Sequence, residues 1–258
     1  MTRLIVNADD FGRAPGVNAG IVRAHRTGIV TATTLMVVAP ASEDAARIAR
    51  STPSLDVGLH LTLTYGRPVT DPERIPSLVE PDGAFPRDPS AFIGRGRATR
   101  DQALIEYRGQ HALATELLGH TPTHLDTHHW LHDEPALEWA IVALARETGA
   151  AVRPHDDAQR DRLRAAGLRT VDRYRRDFQH AGNVDAATLE RILDEIADEP
   201  GSGVTELGCH PGEPDAELER TSAYATLRVS ELATLTDPRV RAAVARNAIE
   251  LVTYAAVG

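Results

Sequence analysis

The sequence of 258 residues contains a single cysteine, Cys209, so no disulfide bond can form within the chain. A lack of disulfides fits a compartment in which thiols stay reduced, and we therefore expect a cytoplasmic protein. Residues 1–6 lead directly into an acidic pair, and they contain neither an apolar stretch of signal-peptide length nor a cleavage site. No segment approaches the roughly 20 apolar residues that cross a bilayer, so the sequence predicts no membrane span.

Blocks of basic residues are also missing, and the formal net charge is −9. This balance argues against a nucleic-acid partner, because such proteins carry basic patches or stripes. The hydrophobic share of 42% and the charged share of 25% are ordinary for a soluble globular protein. A chain of this length suits one large domain, and α/β barrels often have this size.

Two common active-site signatures are absent. No glycine fingerprint follows the first predicted strand, which counts against a dinucleotide-binding site. No Gly-x-Ser-x-Gly motif is present, which counts against the nucleophile elbow of serine hydrolases. Cys209 follows apolar residues and directly precedes a histidine, and we do not assign it as a nucleophile.

Short apolar runs alternate along the chain with longer segments of helical spacing. The predicted strands are 4–6, 33–38, 57–61, 124–126, 151–153, 204–209 and 249–252. The predicted helices are 17–26, 43–50, 102–118, 134–148, 188–197 and 222–235. Repeated strand–helix alternation indicates a parallel sheet with helices outside it. We therefore predict an α/β fold of the irregular or incomplete (β/α) barrel type, with about seven strands in a single domain over residues 1–258.

Two segments resist this assignment. The charged stretch 156–172 has no clear pattern. The stretch of about 65–100 is rich in Pro, Gly and Arg, which predicts a loop excursion rather than core. This segment is either an active-site lid or a surface insertion.

Polar residues of catalytic or metal-ligating type lie at or near the C-terminal ends of five of the predicted strands. They are Asn7-Ala8-Asp9-Asp10, His60, Asp126-Thr127-His128-His129, Arg153-Pro154 and Cys209-His210-Pro211-Gly212. In an α/β barrel the C-terminal ends of the strands share one face, where active sites are built. Residues far apart in sequence are therefore expected to converge.

The adjacent carboxylates of Asp9 and Asp10 repel each other unless a cation or a proton lies between them. One can bind a metal ion while its neighbour accepts a proton, although either residue could instead cap the following helix. His60 lies within an apolar run and on its own is typical of a buried core histidine. Neutral imidazole is also a common metal ligand, and the other strand ends favour that interpretation.

Residues 124–132 hold four of the 11 histidines of the chain. Such crowding suits metal ligands and the groups that orient them, and Asp126 could hold a ligand imidazole in one tautomer. Arg153 is either a structural ion-pair partner or a bidentate partner of Asp9 or Asp10. His210 begins a turn and is either a general acid or a structural residue.

One Asp and two His form a compact set of ligands with open coordination positions. A metal ion in such a set lowers the pKa of a bound water and polarises a carbonyl group. A second carboxylate can then act as a base, and a separate histidine can protonate a leaving amine. These parts together are what the hydrolysis of an amide needs.

Four motifs, in this order, resemble those of the YdjC-like carbohydrate deacetylases, a group that includes the chitooligosaccharide deacetylases. They are LIVNADDFG followed by PGVN, GLHLTLT at 58–64, THLDTHH at 123–129 and CHPGEPD at 209–215. Tyr224, Arg228 and the pair Glu231-Leu232 are similar to the closing helix of that family. The resemblance spans nearly the whole chain.

The resemblance implies an irregular α/β barrel and a divalent metal ion. By the same resemblance Asp9 is the general base and His210 the general acid, and Arg153 supports the catalytic carboxylates. The implied metal ligands are Asp10, His60 and His128, with His124 as the rival to His128. We also expect three residues to bind substrate, namely Trp130, Asp126 and His124. Trp130 stands where the family often has histidine, and its ring could stack on a sugar face.

The resulting hypothesis is a metal-dependent hydrolase that removes an acetyl group from an N-acetylated sugar, such as an oligosaccharide or glycoconjugate containing N-acetylglucosamine. A phosphoesterase or an amidohydrolase on a non-sugar amide remains an alternative, as does a carbohydrate-binding protein without catalysis. The ligand set does not distinguish zinc, magnesium, manganese, cobalt or nickel. The resemblance also suggests a homodimer.

Overall fold

The computed structural model describes residues 2–199, 201 and 203–258. Within this part of the chain, eight strands form one sheet in which every pair is parallel. The strands are β1 (Arg3–Phe11), β2 (Ala32–Leu35), β3 (Asp56–Leu61), β4 (His124–Thr127), β5 (Ala151–Val152), β6 (Arg173–Arg175), β7 (Val204–Cys209) and β8 (Glu250–Leu251).

Helices follow most of these strands and cover the outer face of the sheet. They are α1 (Pro15–Thr27), α2 (Ser42–Arg50), α3 (Arg100–Leu118), α4 (Pro135–Thr148), α5 (Asp157–Ala165), α6 (Ala186–Asp198), α7 (Ala216–Thr221), α8 (Ala225–Leu235) and α9 (Pro238–Arg246). Proline in the first turn helps to start α1, α4 and α9. In the described residues, no helix is long and apolar enough to cross a membrane.

The sheet curls into an incomplete barrel with the strand order β5-β4-β3-β2-β1-β7-β6, and β8 pairs with the start of β1. The two edge strands, β5 and β6, do not pair with each other. The segment between α5 and β6 instead bridges the gap, because Val152 N donates to Arg169 O at 2.9 Å and Asp172 N donates to Val204 O at 2.9 Å. The structure confirms the predicted fold class, an irregular α/β barrel in a single domain.

Successive residues of β1 contact different parts of the core, because side chains alternate between the faces of a strand. Leu4 and Val6 belong to the larger apolar cluster, which also contains the buried residues of the helices. Ile5 belongs to a smaller cluster with Val204 and Tyr254. The barrel interior is therefore apolar at the N-terminal ends of the strands.

The interior becomes polar toward the C-terminal ends. Asn7 and Asp9 follow Ile5 on the same face of β1, and both are buried. The Asn7 Oδ1 atom lies 3.1 Å from His124 Nε2. The His124 ring stacks on Tyr254 with ring centroids 3.6 Å apart. This change from apolar to polar layers gathers the buried polar residues at one end of the barrel.

Several elements differ from the sequence predictions. The charged stretch 156–172, which has no clear sequence pattern, contains α5, and the sequence patterns predict neither β6 nor the helices α7 and α9. The predicted helix 222–235 is shorter, because α8 begins only at Ala225. The segment between β3 and α3 contains two short 3₁₀ helices, Pro72–Arg74 and Pro89–Ala91.

A methyl group on β3 should test how tightly the interior is packed. A Cβ atom at Gly58 would lie 2.6 Å from three atoms of the buried His124 ring. Since that ring is stacked on Tyr254 and cannot retreat, we expect Gly58→Ala to lower the free energy of unfolding by about 1–3 kcal/mol. Denaturant unfolding at constant m-value measures this loss.

The matched control is Gly109→Ala on α3. The atom nearest to its added methyl group is the side-chain oxygen of Thr70, at 3.2 Å. Alanine also favours the helix over glycine by about 1 kcal/mol, so this variant should be neutral or more stable. Equal destabilisation by both substitutions would contradict the packing argument.

Candidate metal centre and active site

The backbone at the end of β1 turns one of the two adjacent carboxylates toward the neighbouring strands. The register between β1 and β2 shifts between Ala8 and Phe11, and Asp10 has a φ of 71°. A non-glycine residue in this region is strained, and such residues cluster at functional sites. Bulges of this kind re-aim side chains. As a result Asp9 and Asp10 contact different partners although they are adjacent in sequence.

Asp10 contacts one histidine from β3 and one that directly follows β4. Its Oδ1 atom lies 3.3 Å from His60 Nε2 and 3.1 Å from His128 Nδ1. The two ring nitrogens are 3.3 Å apart. The structure therefore brings together Asp10 of β1, His60 of β3 and His128, which directly follows β4.

The geometry of these three atoms fits a metal ion. Ligand atoms that lie about 2.0–2.1 Å from a tetrahedral ion are about 3.3 Å apart, which matches the three observed edges. Asp10 Oδ1 is buried, yet it accepts no hydrogen bond from the described residues. A buried carboxylate oxygen without a donor is costly, and a cation at the centre of the triangle would satisfy it.

Asp126 holds the His60 ring in one orientation. Its Nδ1 atom lies 2.7 Å from Asp126 Oδ1, and both side chains are buried. Because Nδ1 donates to Asp126, it is Nε2 that faces Asp10 and His128, and this nitrogen would offer its lone pair to a metal ion on losing its proton. Burial lowers the pKa of His60, but the neighbouring carboxylates, Asp126 foremost, outweigh it and raise the pKa to about 10.

Arg153 links the carboxylates of three strands beneath the site. It donates to both oxygens of Asp9 at 2.7 and 2.8 Å. It also contacts Asp126 Oδ2 at 2.5 Å and Glu206 Oε1 at 2.6 Å. Only 1% of the side chain is exposed. Of the two roles that the sequence left open, the structure shows the bidentate contact with Asp9, within a wider ion-pair network.

The electrostatic environment gives Asp9 and His210 different charges at neutral pH. Burial raises the pKa of Asp9, but the Arg153 guanidinium outweighs it and holds the pKa well below its usual range. Burial is the largest effect on His210 and lowers its pKa to about 4. The His210 Nε2 atom lies 3.8 Å from Asp9 Oδ2. At neutral pH the pair therefore consists of a carboxylate and a neutral imidazole.

Arg228 is a site residue to which the sequence analysis gave no role. Its NH2 group donates to Asp10 Oδ2, on the side of that carboxylate away from His60 and His128. Burial raises the pKa of Asp10, and the charge of Arg228 is the main influence that brings it well below the usual value. Arg228 therefore keeps Asp10 ionised and fixes the direction of its free oxygen.

A cavity of about 530 Å³ opens directly above these residues. Asp9, Asp10, His60, His128 and His210 all line it. Further wall residues come from the segment after β3, the end of β4 and the start of α8, among them Tyr65, Trp130 and Tyr224. A substrate in this cavity would reach all the predicted catalytic and ligating side chains.

Two of the three predicted substrate contacts need revision. Asp126 and His124 are 0% exposed and do not line the cavity, because other side chains cover them. Asp126 contacts His60 and Arg153, and His124 contacts Asn7 and Tyr254. Both support the site from below instead of touching a substrate. The side chain of His132 lies outside the described part of the chain.

The third, Trp130, does line the cavity. Its ring stacks on His155 with centroids 5.2 Å apart. His129 and Trp130 have φ values of 60° and 57°, so the backbone is left-handed at both. This local geometry turns Trp130 toward the cavity mouth, and its role in binding stays a prediction.

Glu206 and Tyr254 are also site-supporting residues that sequence reasoning missed. Tyr254 donates to Glu206, which in turn holds Arg153. The available signal was Glu206 itself, a glutamate in the middle of the predicted apolar strand 204–209. A buried carboxylate at such a position requires a charged partner.

The turn after β7 packs tightly against α1. A Cβ atom at Gly20 would lie 2.5 Å from the Cα of Gly212, and one at Gly16 would lie 2.6 Å from Asp215 Cβ. The Gly16 amide also donates to Asp215 Oδ2 at 2.9 Å. The two glycines of α1 thus let the turn that begins at His210 approach the helix backbone.

Comparison with known proteins gives consistent results over nearly the full length. A family model described as YdjC-like protein matches residues 3–246. A carbohydrate deacetylase from Geobacillus stearothermophilus is 41% identical over 251 residues, which are 97% of this chain and 96% of that protein. A chitooligosaccharide deacetylase from Serratia marcescens is 34% identical over 252 residues, with 97% of each chain covered.

Two crystal structures are similar in fold. A protein from Enterococcus faecalis V583, provisionally named a cellobiose-phosphate cleavage protein, superposes with a TM-score of 0.90 at 32% identity and 98% coverage of both chains. A family 4 carbohydrate esterase from Streptomyces lividans, solved with acetate, has a TM-score of 0.53 at 11% identity, covering 98% of this chain and 92% of that chain. The second similarity concerns the fold alone.

The Asp126–His60 contact should matter for metal affinity. Asparagine at position 126 would direct an amide group at the Arg153 donors or at His60 Nδ1, so His60 would lose its fixed orientation. We expect Asp126→Asn to weaken divalent metal binding by about 10–100-fold, the usual effect of removing such a partner. Calorimetric titration of metal-stripped protein with Zn²⁺ or Co²⁺ measures the change.

The control is Glu206→Gln, which also removes one negative charge beside Arg153 but does not touch His60. Its metal affinity should stay close to that of the unaltered protein. If both variants lost affinity equally, the effect would come from the Arg153 network and not from the orientation of His60.

Proposed function

This chain belongs to the YdjC-like protein family, and on that premise we propose that it is a metal-dependent deacetylase of N-acetylated sugars. The substrate we propose is an oligosaccharide or glycoconjugate that contains N-acetylglucosamine. The observation that carries the proposal is the triangle of Asp10 Oδ1, His60 Nε2 and His128 Nδ1, with Asp9 and His210 beside it in one cavity. The relatives named carbohydrate deacetylase and chitooligosaccharide deacetylase support the reaction class.

Asp10, His60 and His128 would hold a divalent ion. When bound, such an ion supplies Lewis-acid chemistry, in that it lowers the pKa of water and polarises a carbonyl group. The chain holds two of these three ligands in place, because Asp126 orients His60 and Arg228 orients Asp10. The donor set suits several divalent metals, so the proposal names no particular one.

Asp9 would act as the general base. It is ionised at neutral pH, and Arg153 fixes its plane through two hydrogen bonds. A proton from the attacking water would move to Asp9 Oδ2, the oxygen that faces His210. The strong contact with Arg153 makes Asp9 a weak base, so the water must be acidified before transfer.

His210 would deliver a proton to the departing amine. Its lowered pKa keeps the ring neutral at rest and makes its protonated form a strong acid. The proton that Asp9 accepts can pass to His210 Nε2, which lies 3.8 Å away, and from there to the amine nitrogen. The water proton is thereby used on the leaving group, and the acetate and the free amine are the products.

Trp130 is the residue that we propose to contact the sugar ring. It lines the cavity beside His128, and aromatic faces bind the apolar faces of sugars. Asp126 and His124 are left out of this role because they are covered. The contact would position the N-acetyl group without taking part in proton transfer.

Acetate release tests the proposed reaction. The protein loaded with a divalent metal should release acetate from N-acetylated chitooligosaccharides, and Asp9→Asn should lower kcat by about 10²–10⁴-fold because the base is lost. A coupled assay for acetate gives kcat, and calorimetry shows that the variant still binds metal. Unchanged turnover after complete removal of metal by a chelator would refute the mechanism.

The matched control is Asp71→Asn, since Asp71 lies outside the cavity and caps a short helix with its side chain. Asparagine caps helices as well as aspartate does, so this variant should be fully active. A parallel screen against phosphate esters separates the alternative reaction class. Preferential cleavage of phosphate esters would contradict deacetylation, and tight sugar binding without turnover would favour a binding protein.

A further inference from the structure

Glu231 is a buried carboxyl group on α8 that the mechanism above does not use. It is 0% exposed and does not line the cavity. Its Oε2 atom accepts a hydrogen bond from the backbone N–H of His210 at 2.5 Å. Its Oε1 atom lies 2.5 Å from the Tyr224 hydroxyl group. Glu231 therefore connects the turn of the proposed general acid with Tyr224, which directly precedes α8.

The Tyr224 hydroxyl group has two oxygen neighbours but only one proton. Besides Glu231 Oε1, it makes a short contact with the backbone carbonyl of Gln179. A carbonyl oxygen has no proton to give, so the Tyr224 proton must be used in that contact. The remaining contact, between the Tyr224 oxygen and Glu231 Oε1, then needs a proton from Glu231.

We propose that Glu231 is a protonated carboxylic acid and a positioning residue, which donates to Tyr224, accepts from the His210 amide and thereby fixes the general acid. In this arrangement the donors and acceptors alternate along one chain of hydrogen bonds. Glu231 donates to the Tyr224 oxygen, and Tyr224 donates to the Gln179 carbonyl. The role in catalysis rests on the proposed function of His210.

His210 needs such support because few contacts hold its imidazole ring in place. Its Nδ1 atom is buried and has no hydrogen-bond partner among the described residues. The ring instead meets the edge of Tyr224 with centroids 5.5 Å apart. Glu231 thus acts on His210 twice, through the backbone N–H and through the tyrosine that packs on the imidazole.

The charges around Glu231 are compatible with a neutral acid. Arg228 lies on the same helix, Asp9 approaches from β1, and Cys209 and His210 come from the end of β7. Burial is the largest influence, and it raises the pKa of Glu231 to about 7. Arg228 already bonds to Asp10, and it makes no direct bond to Glu231 in the described residues.

Two substitutions distinguish a protonated acid from a carboxylate. Glutamine can donate to Tyr224 and accept from the His210 amide, so E231Q should keep kcat and KM close to those of the unaltered enzyme. E231A removes both bonds and should lower kcat by about tenfold or more at unchanged KM, since a small misplacement of a catalytic group is costly. Metal affinity should be the same in both variants.

Infrared difference spectroscopy provides a readout that does not depend on turnover. At about pH 6 most exposed carboxyl groups are ionised, so a carbonyl band of a protonated acid reports buried groups. E231Q should remove one such band, and E206Q identifies any band that belongs to Glu206. A spectrum in which E231Q removes no band would overturn the proposal.

These experiments distinguish a failure of the Glu231 inference from a failure of the proposed function. If the unaltered enzyme releases acetate but E231Q is as inactive as E231A, a carboxylate is required and the present inference is wrong. If the unaltered enzyme deacetylates no sugar, the proposed function fails, and the positioning role fails with it. The infrared band would still report the protonation of Glu231 in that case.

Discussion

The five N–H groups of Arg153 hold together the C-terminal end of the barrel, where the candidate site lies. They make contacts with three carboxylates, those of Asp9, Asp126 and Glu206, which belong to three different strands. A buried guanidinium with all of its donors satisfied is stable only as a set, because the loss of one partner leaves a charge uncompensated. Arg153 lies directly after the short strand β5, so even this two-residue strand is needed to place it.

The ion-pair network around Arg153 also holds the proposed metal ligand His60 in place. Asp126 contacts Arg153 with one oxygen and His60 with the other. Arg228 performs the corresponding task for Asp10 from the opposite side, on α8. Two of the three ligand atoms, those of Asp10 and His60, are therefore positioned by two arginines that do not belong to the proposed ligand set. This explains why so many charged groups are buried in a protein of ordinary composition.

Much of this arrangement could be predicted from the sequence. The alternation of strands and helices predicted the fold class, and the motifs predicted the family, both of which are confirmed. The motifs also singled out the residues that converge at the cavity. The convergence follows from a general rule, since parallel strands bring their C-terminal ends to one face. The roles of Asp9, Asp10, His60, His128, Arg153 and His210 stay predictions.

Physical reasons explain why the sequence misplaced Asp126 and His124 and gave no role to other residues of the site. Asp126 and His124 are polar residues at a strand end, so their type suggested contact with substrate, but depth in the barrel depends on register with neighbouring strands. Arg228 and Glu231 come from a helix, where the pattern of apolar residues does not reveal which polar side chain turns inward. Tyr254 lies 39 positions after the end of the last motif, and nothing local connects it to Glu206.

The close approach of Gly20 to Gly212 has an evolutionary consequence. A side chain at Gly20 would push α1 away from the turn that carries His210, and one at Gly16 would meet Asp215 in the same way, so α1 and the CHPGEPD segment must change together or not at all. Residues at the cavity mouth, such as Tyr65 and Trp130, carry no such mutual restriction. The structure therefore restricts substitution at the contact between α1 and this turn more strictly than at the rim of the cavity.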